Sequence, residues 1–147
     1  MQIKPCTLLD DKTISELIEI WDKAVRSSHF FLSEKDIAFF KPLICNQYFK
    51  AVKLFVIHDE YNKIAAFLGL SDHMVEMLFV HPAQQGKGYG SALLEFAYTK
   101  KGIRRVDVNE ENQQGLNFYL NKGYEIIGRD EFDPQGKAFP ILHLKKA

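Results

Sequence analysis

Three glycines at alternate positions, Gly86, Gly88 and Gly90, constrain the fold more than any other feature, because they join a strand-like segment to a helix-like one. The stretch 73–80 before them is strand-like, and from Ala92 onward apolar residues return at helical spacing. Glycine has no Cβ atom, so its backbone can take positive φ angles and approach a ligand closely. The first N–H groups of a helix have no intrahelical partner and lie at the positive end of the helix dipole. The run therefore predicts a strand–loop–helix unit that binds phosphate or pyrophosphate.

Other interpretations of this loop differ in how well the pattern fits them. A plain glycine-rich turn that caps the helix explains the glycines without any ligand. A P-loop requires GxxxxGK[ST], whereas Lys87 is followed by Gly88. A dinucleotide-binding fingerprint requires GxGxxG in a first β-α-β unit, but here about three hairpin-linked strands come first. Asp107 lies near the position expected for a ribose-binding acid, yet it falls within a strand and is interpreted as structural.

The other elements follow from the spacing of apolar residues. Helical spacing predicts a helix over 12–27, with an N-cap from the Asp10-Asp11 pair. Ser33 and Asp36 resemble a capping box that opens a second helix. Further strands are predicted at 2–7, 52–58, 63–70, 103–108, 123–130 and 138–145, with a helix at 112–121. This order, β-α-α-β-β-β-α-β-α-β-β, indicates a mixed α/β sheet and not a fully alternating parallel one.

Composition limits the partners and the compartment. The 147 residues carry 19 basic and 19 acidic side chains, so generic nucleic-acid binding, which needs an excess of positive charge, is not expected. Cys6 and Cys45 form no CxxC pair, which indicates free, buried thiols and no zinc site. The stretch after Met1 has no apolar signal-peptide core, and no run approaches a membrane span. We expect one domain over 1–147, a cytoplasmic location, and neither a metal nor a membrane partner.

The glycine loop and its flanks resemble motif A of the GCN5-related N-acetyltransferase (GNAT) superfamily. The segment 78–94 reads LFVHPAQQGKGYGSALL. The core of motif A is Q/R-x-x-G-x-G/A, which is matched by Gln85, Gly88 and Gly90. The resemblance implies an α/β (α+β) fold with a central mixed, mostly antiparallel sheet of six to seven strands, flanked by about four helices.

A second match lies downstream of the loop. Residues 112–119 read NQQGLNFY and are followed by Gly123-Tyr124, which resembles the family motif N-x-x-A-x-x-F-Y…G-F/Y. Gly115 stands where the family usually has alanine. The segments 21–32 and 133–142 are similar to those of a YjaB-like subgroup of bacterial GNAT proteins. The resemblance therefore covers the whole chain.

The resemblance implies that the chain binds acetyl-coenzyme A (acetyl-CoA) as co-substrate and needs no metal. Backbone groups of the strand before the glycine loop would bind the pantetheine amides, and backbone N–H groups of the loop would hold the pyrophosphate. The N–H of Val80 is also a candidate to stabilise the tetrahedral oxyanion. Asn112 would cap its helix and contact the pantetheine arm. The cofactor-binding residues implied are Leu78, Phe79, Val80, Gln85, Gly86, Lys87, Gly88, Tyr89, Gly90, Ser91, Asn112 and Tyr119.

Catalytic roles are also implied by the resemblance. Tyr119 matches the family tyrosine near the coenzyme A sulfur and would protonate the departing thiolate, although its spacing also fits a core aromatic residue. Glu76 is the first candidate for the base; alternation places it on one face of its strand with Met74, Leu78 and Val80. His29 is the second candidate, because imidazole titrates in the useful range. The expected walls of the acceptor pocket are Trp21, Phe30, Phe31 and the Phe139-Pro140 segment.

The function expected on this basis is transfer of an acetyl group from acetyl-CoA to a primary amine by direct attack. The acceptor would be a small amine, an amino acid, a peptide N-terminus or a lysine, and no acidic stripe in the sequence marks a groove for a basic peptide or polyamine. The protein would be a monomer or a homodimer. Two alternatives stay open: a non-catalytic acyl-CoA sensor, and a nucleotide-binding domain.

Overall fold

A seven-stranded sheet runs through the centre of the protein, with helices on both faces. The structure is a computed structural model that describes all residues from 1 to 147. The strands are β1 (Ile3–Cys6), β2 (Lys53–His58), β3 (Ile64–Leu70), β4 (Met74–Val80), β5 (Arg105–Asn109), β6 (Tyr124–Asp130) and β7 (Ile141–Lys146). The helices are α1 (Asp11–Ser28), α2 (Glu34–Leu43), the single turn α3 (Phe49–Ala51), α4 (Tyr89–Lys101) and α5 (Gln113–Asn121). The predicted order is confirmed except for the turn α3, which was not predicted, and the ends of the elements shift by a few residues.

The strands lie in the order β1-β2-β3-β4-β5-β7-β6. Only β4 and β5 are parallel, and every other neighbouring pair is antiparallel. This agrees with the mixed, mostly antiparallel sheet that the resemblance implies. The two edges are β1, which contains Pro5, and β6, where a bulge interrupts the ladder between Ile126 and Gly128.

The helix ends follow the predicted local chemistry. The Asp10 side chain accepts a hydrogen bond from the N–H of Thr13 at 2.9 Å and caps α1. Ser33 and Asp36 form the reciprocal capping box at the start of α2. Such caps satisfy N–H groups that lack partners in the first turn, and each typically contributes about 1 kcal/mol.

Apolar side chains form two cores, one on each face of the sheet. On one face α4 and α5 cover Leu68, Val106 and Leu144. On the other face α1 and α2 cover another set of strand residues, chiefly Val56, Phe67 and Met77. Burying one such side chain fully contributes about 1.5–3 kcal/mol. None of the helices is long and apolar enough to cross a membrane.

Two details of the packing differ from expectation. Cys6 and Cys45 are free thiols as predicted, but each is only partly buried. The alternation of side chains between the two faces of the sheet is interrupted in β4 by a bulge. Leu70 pairs with Val75 and Gly69 with Met77, so Glu76 has no partner in β3. Val75 therefore packs in the same core as Leu78 and Val80, so alternation does not carry Glu76 onto their face as predicted.

Candidate active site

The parallel strands β4 and β5 pair only at their first residues. Met74 lies opposite Arg105 and Val75 opposite Val106, and no pairing continues beyond them. We call the point at which the two strands part the fork. Backbone groups along a fork have no strand partner, so a ligand or water must satisfy them.

The register of β3 with β4 shows which backbone groups face the open side of the fork. The N–H of His81 donates to the carbonyl of Ala65 at 2.9 Å, so this pair is hydrogen-bonded. Hydrogen-bonded and non-bonded pairs alternate along an antiparallel ladder. The N–H and C=O groups of Phe79 consequently point toward β3, whereas those of Leu78 and Val80 point toward β5. The backbone groups of Leu78 and the N–H group of Val80 are thus free at the fork, while the carbonyl of Val80 accepts a hydrogen bond from Nε2 of Gln85 at 3.5 Å.

The glycine loop presents a row of backbone N–H groups at the start of α4. Gly86 and Gly88 have φ angles of 79° and 83°, which side chains rarely tolerate. From Gly86 to Ser91 no N–H group takes part in a turn or loop hydrogen bond, whereas the N–H of Gln85 donates to a carbonyl of the preceding turn. The Lys87 ammonium donates to Oε1 of Gln84 at 2.8 Å. The loop therefore offers an anion site made of backbone groups.

A cavity of about 490 Å³ connects the loop with the fork. We call it the donor cleft. It contains every predicted cofactor residue except Lys87, together with residues of β5 and of the C-terminal end of α1. The predicted members that line it are Leu78, Phe79, Val80, Gln85, Gly86, Gly88, Tyr89, Gly90, Ser91, Asn112 and Tyr119.

Tyr119 lies in the wall of the donor cleft with 8% of its surface exposed. Its ring packs edge-on against Phe118 and Tyr124 at 5.3 and 5.7 Å between centroids. Tyr119 is therefore a core aromatic residue that also lines the cleft, and its catalytic role stays a prediction. Burial, with a smaller contribution from Tyr124, raises the pKa of Tyr119 well above its ordinary value. The side chain is thus a neutral phenol over the working pH range.

Asn112 caps α5 and lies between the donor cleft and α1. Its Oδ1 accepts a hydrogen bond from the N–H of Gly115 at 3.0 Å, and its Nδ2 lies 3.5 Å from Nε2 of His29. A Cβ atom on residue 115 would overlap with Nδ2 and lie 3.0 Å from Cγ of Asn112. The departure from the family motif is explained by this contact, since glycine leaves room for the Asn112 amide in this orientation.

His29 is buried at the end of α1 and lines the donor cleft. Its Nδ1 lies 2.8 Å from Oγ of Ser28, and its Nε2 faces the amide nitrogen of Asn112. An amide NH₂ group only donates, so Nε2 must be the unprotonated acceptor. Burial lowers the pKa of His29 to about 4, in agreement with a neutral ring.

A second cavity, of about 760 Å³, opens on the α1–α2 side of the sheet. We call it the acceptor cavity. Trp21, Phe31 and Phe139 line it as predicted, and the rings of Phe31 and Phe139 lie 5.3 Å apart. Phe30, by contrast, is 82% exposed and contributes nothing to the wall, so that expectation is wrong.

Negative charge surrounds the acceptor cavity. No lysine or arginine lines it, and its four carboxylates, Glu76, Asp107, Asp130 and Asp133, outnumber the one histidine that contacts them, His143. The sequence contains no acidic stripe that marks this lining, because the four carboxylates come from β4, β5 and the region around the end of β6 and meet only in the folded chain. Such a lining attracts cations and repels anionic groups.

The two cavities meet at the fork. Glu76, Asp107 and His29 line both of them, together with Met77, Phe79 and Asn109. Glu76 is exposed and lies on the bulge of β4, where its backbone is not held by strand pairing. Asp107 was interpreted from the sequence as structural, yet it lies where a donor and an acceptor would meet.

A histidine that the motifs do not signal completes the floor of the acceptor cavity. Nδ1 of His143 lies 2.7 Å from Asp107, and its Nε2 lies 2.8 Å from Asp130. Two carboxylates at these distances require both ring nitrogens to donate, and the hydrogen bond to Asp107 is the main reason that the pKa of His143 is raised. Only the pairing of β5 with β7 and of β7 with β6 brings these residues together.

Comparison with known proteins gives a consistent relationship. A sequence model described as Acetyltransferase (GNAT) domain matches residues 50–126. The peptidyl-lysine N-acetyltransferase YjaB of Escherichia coli (strain K12) is 33% identical over 129 residues, which cover 88% of this chain and 87% of that protein. The peptidyl-lysine N-acetyltransferase YiaC of the same organism is 23% identical over 112 residues, or 76% of each chain.

Solved structures agree with these matches. The solution structure of apo-form YjaB from Escherichia coli has a TM-score of 0.87 at 29% identity and covers 99% of this chain and 97% of that one. The PaiA N-acetyltransferase of Thermoplasma acidophilum, solved in complex with coenzyme A, has a TM-score of 0.72 at 19% identity over 100% of both chains. At this lower identity the second likeness concerns the fold alone.

Proposed function

We propose that this chain, which belongs to the acetyltransferase (GNAT) family and uses acetyl-CoA, acetylates the side-chain amine of a lysine in a peptide or protein. The observation that carries this proposal is the acceptor cavity, which is aromatic along its walls, acidic in its lining and open to the donor cleft at the fork. A lysine has an apolar stem and a cationic head, which suit such a cavity. The carboxylates disfavour free amino acids, because their α-carboxylate would lie beside the reacting amine. Relatives that carry the name peptidyl-lysine N-acetyltransferase support the same choice.

In the proposed reaction the amine attacks the thioester carbon of acetyl-CoA directly. The lysine ammonium first gives one proton to the Glu76 carboxylate, directly or through water, and becomes a neutral nucleophile. As the C–N bond forms, the carbonyl oxygen becomes negative, and the free N–H of Val80 at the fork is a suitable donor to it. The C–S bond then breaks, and its electron pair goes to sulfur.

Tyr119 is the group that we propose for protonation of the sulfur. Its phenol gives a proton to the thiolate, and the second proton of the nitrogen restores the phenol, while Glu76 returns its own proton to solvent. Burial raises the pKa of Tyr119, which by itself makes it a weaker acid. The same burial disfavours a charged thiolate at this place, so the two pKa values rise together and the transfer stays feasible.

His29 has a different place in this scheme. Both of its ring nitrogens face hydrogen-bonding partners, and its pKa of about 4 makes it a weak base. We propose Glu76 as the base and His29 as a neutral part of the wall between the two cavities. Its contact with Asn112 holds the amide toward the pantetheine arm of the cofactor.

Acetyl transfer to matched acceptors tests the proposal. Release of coenzyme A thiol is measured with three acceptors: an N-terminally blocked peptide containing one lysine, an unblocked peptide with arginine in place of that lysine, and free lysine. We expect the blocked lysine peptide to be preferred. Preference for the unblocked arginine peptide or for free lysine would overturn the choice of acceptor. Tight coenzyme A binding without turnover of any amine would instead indicate the acyl-CoA sensor.

A further inference from the structure

The fork carries an acidic residue on each of its two strands. Pairing of β4 with β5 ends at Val75 and Val106, and the next residue in each strand is an acid, Glu76 in β4 and Asp107 in β5. Both line the donor cleft and the acceptor cavity. Glu76 and Asp107 are the only two acidic residues common to the two linings, so an amine that crosses from the acceptor cavity to the donor cleft does so at a junction that carries both carboxylates.

The two carboxylates differ in how firmly they are held. Glu76 is exposed and lies on a bulge, so its side chain can follow a proton or a water molecule. The Oδ1 atom of Asp107 is fixed by Nδ1 of His143 at 2.7 Å, and the other ring nitrogen of His143 is fixed by Asp130 at 2.8 Å. This chain of contacts leaves Oδ2 of Asp107 without a partner in the protein.

Alternation of side chains along β5 and β7 directs Asp107 and His143 into the acceptor cavity. Val106 and Val108 point into the core beneath α4 and α5, so Asp107 between them points into the acceptor cavity. His143 lies between Leu142 and Leu144 in β7 for the same reason.

We propose that Asp107 is the specificity-determining carboxylate of the acceptor site: it binds the ammonium group of the incoming lysine through Oδ2, and His143 and Asp130 act as positioning residues for it. This assignment rests on the proposed function. Asp107 forms no covalent bond and takes no proton; it holds the cation at the fork until Glu76 removes a proton. A fixed carboxylate suits binding and a mobile one suits proton transfer, which explains why the fork carries both.

Steady-state kinetics of Asp107→Asn with the blocked single-lysine peptide test this proposal. The amide keeps an oxygen for His143 but loses the charge that binds an ammonium group. We expect the KM for the peptide to rise roughly ten- to a hundredfold, as for loss of a hydrogen bond to a charged group. The KM for acetyl-CoA should stay within about twofold of wild type, which also reports that the variant is folded. The matched control is Asp72→Asn, which removes the charge of an exposed aspartate that lines neither cavity and should leave the peptide KM within about twofold of wild type.

A second substrate separates charge recognition from a structural role. The same peptide carrying an aminooxy group in place of the lysine amine has a nucleophile that is neutral near pH 7. If Asp107 binds the ammonium charge, Asp107→Asn should lose little with this peptide. An equal loss with both peptides, or no loss with either, overturns the assignment.

Variants of His143 test the positioning role. His143→Leu should raise the peptide KM while leaving the KM for acetyl-CoA unchanged, and His143→Gln, whose amide can still donate to Asp107, should recover part of the loss. An unchanged peptide KM in His143→Leu would remove the positioning role. If the wild-type protein acetylates no lysine peptide, the proposed function fails and takes this assignment with it; wild-type turnover with unaffected Asp107→Asn removes only the assignment.

Discussion

Gly115→Ala is expected to separate stability from function, because its effects on the helix and on Asn112 oppose each other. Alanine is more favourable than glycine within a helix by about 0.5–1 kcal/mol. The new Cβ would overlap with Nδ2 of Asn112, and its three nearest atoms all belong to that one side chain. Relief therefore requires Asn112 to rotate, which breaks the 3.0 Å cap to the N–H of residue 115. Loss of such a cap costs about 0.5–2 kcal/mol.

These terms nearly cancel in the free energy of unfolding. We expect Gly115→Ala to lie within about 1 kcal/mol of wild type, on the destabilised side. The affinity for acetyl-CoA has no such compensation, because rotation of Asn112 moves its amide away from His29 and from the donor cleft. The KM for acetyl-CoA should therefore rise several-fold, measured by release of coenzyme A thiol at saturating acceptor.

A double-mutant cycle supplies the decisive comparison. In an Asn112→Ala background the added Cβ meets no amide, so Gly115→Ala should stabilise by about 0.5–1 kcal/mol in urea unfolding. The two backgrounds should then differ by about 1 kcal/mol or more. Equal stabilisation in both backgrounds, with an unchanged KM for acetyl-CoA, would refute the overlap.

Three further predictions concern the cofactor and the buried histidine. Tyr119→Phe should lower kcat by about 10²-fold or more with little change in coenzyme A affinity, and an unchanged kcat would exclude it as the acid. Gly88→Val places a branched side chain at a φ of 83° in the loop and should abolish coenzyme A binding in calorimetry while the fold persists; unchanged affinity would contradict the anion site. For His29 the pKa of about 4 lies below its ordinary 6.5, so the unfolded chain takes up a proton first as the pH falls. The free energy of unfolding should therefore decrease from pH 6.5 toward 4 by up to roughly 3 kcal/mol, and urea unfolding of His29→Gln should show a shallower dependence.

Local features of the fold were predictable because their causes are local. Asp10 and the Ser33–Asp36 pair cap helices through contacts within one turn, and the glycine loop takes positive φ angles where alternate glycines allow it. The donor cleft was also predictable, since two motifs about twenty residues apart flank the same fork. Its predicted residues line the cleft, apart from Lys87.

The acceptor side was not predictable, because its residues meet only through the sheet. Asp107, His143 and Asp130 lie on three strands whose order depends on β7 entering between β5 and β6. Glu76 departs from alternation because a bulge interrupts β4, and no residue type in that strand signals a bulge. The orientation of the Asn112 amide depends on the absence of a single Cβ atom, on Gly115.

The edges of the sheet have a consequence for the protein at high concentration. An edge strand with a continuous row of free backbone groups is a template for pairing with another molecule, and such pairing leads to aggregation. In β1, Pro5 removes one N–H donor from the row, and in β6 the bulge between Ile126 and Gly128 breaks the regular spacing. Ile126 and Ile127 are each 49% exposed, so without the bulge β6 would be an apolar edge strand prone to pair with another molecule. The bulge that interrupts β6 therefore also favours the solubility of the protein.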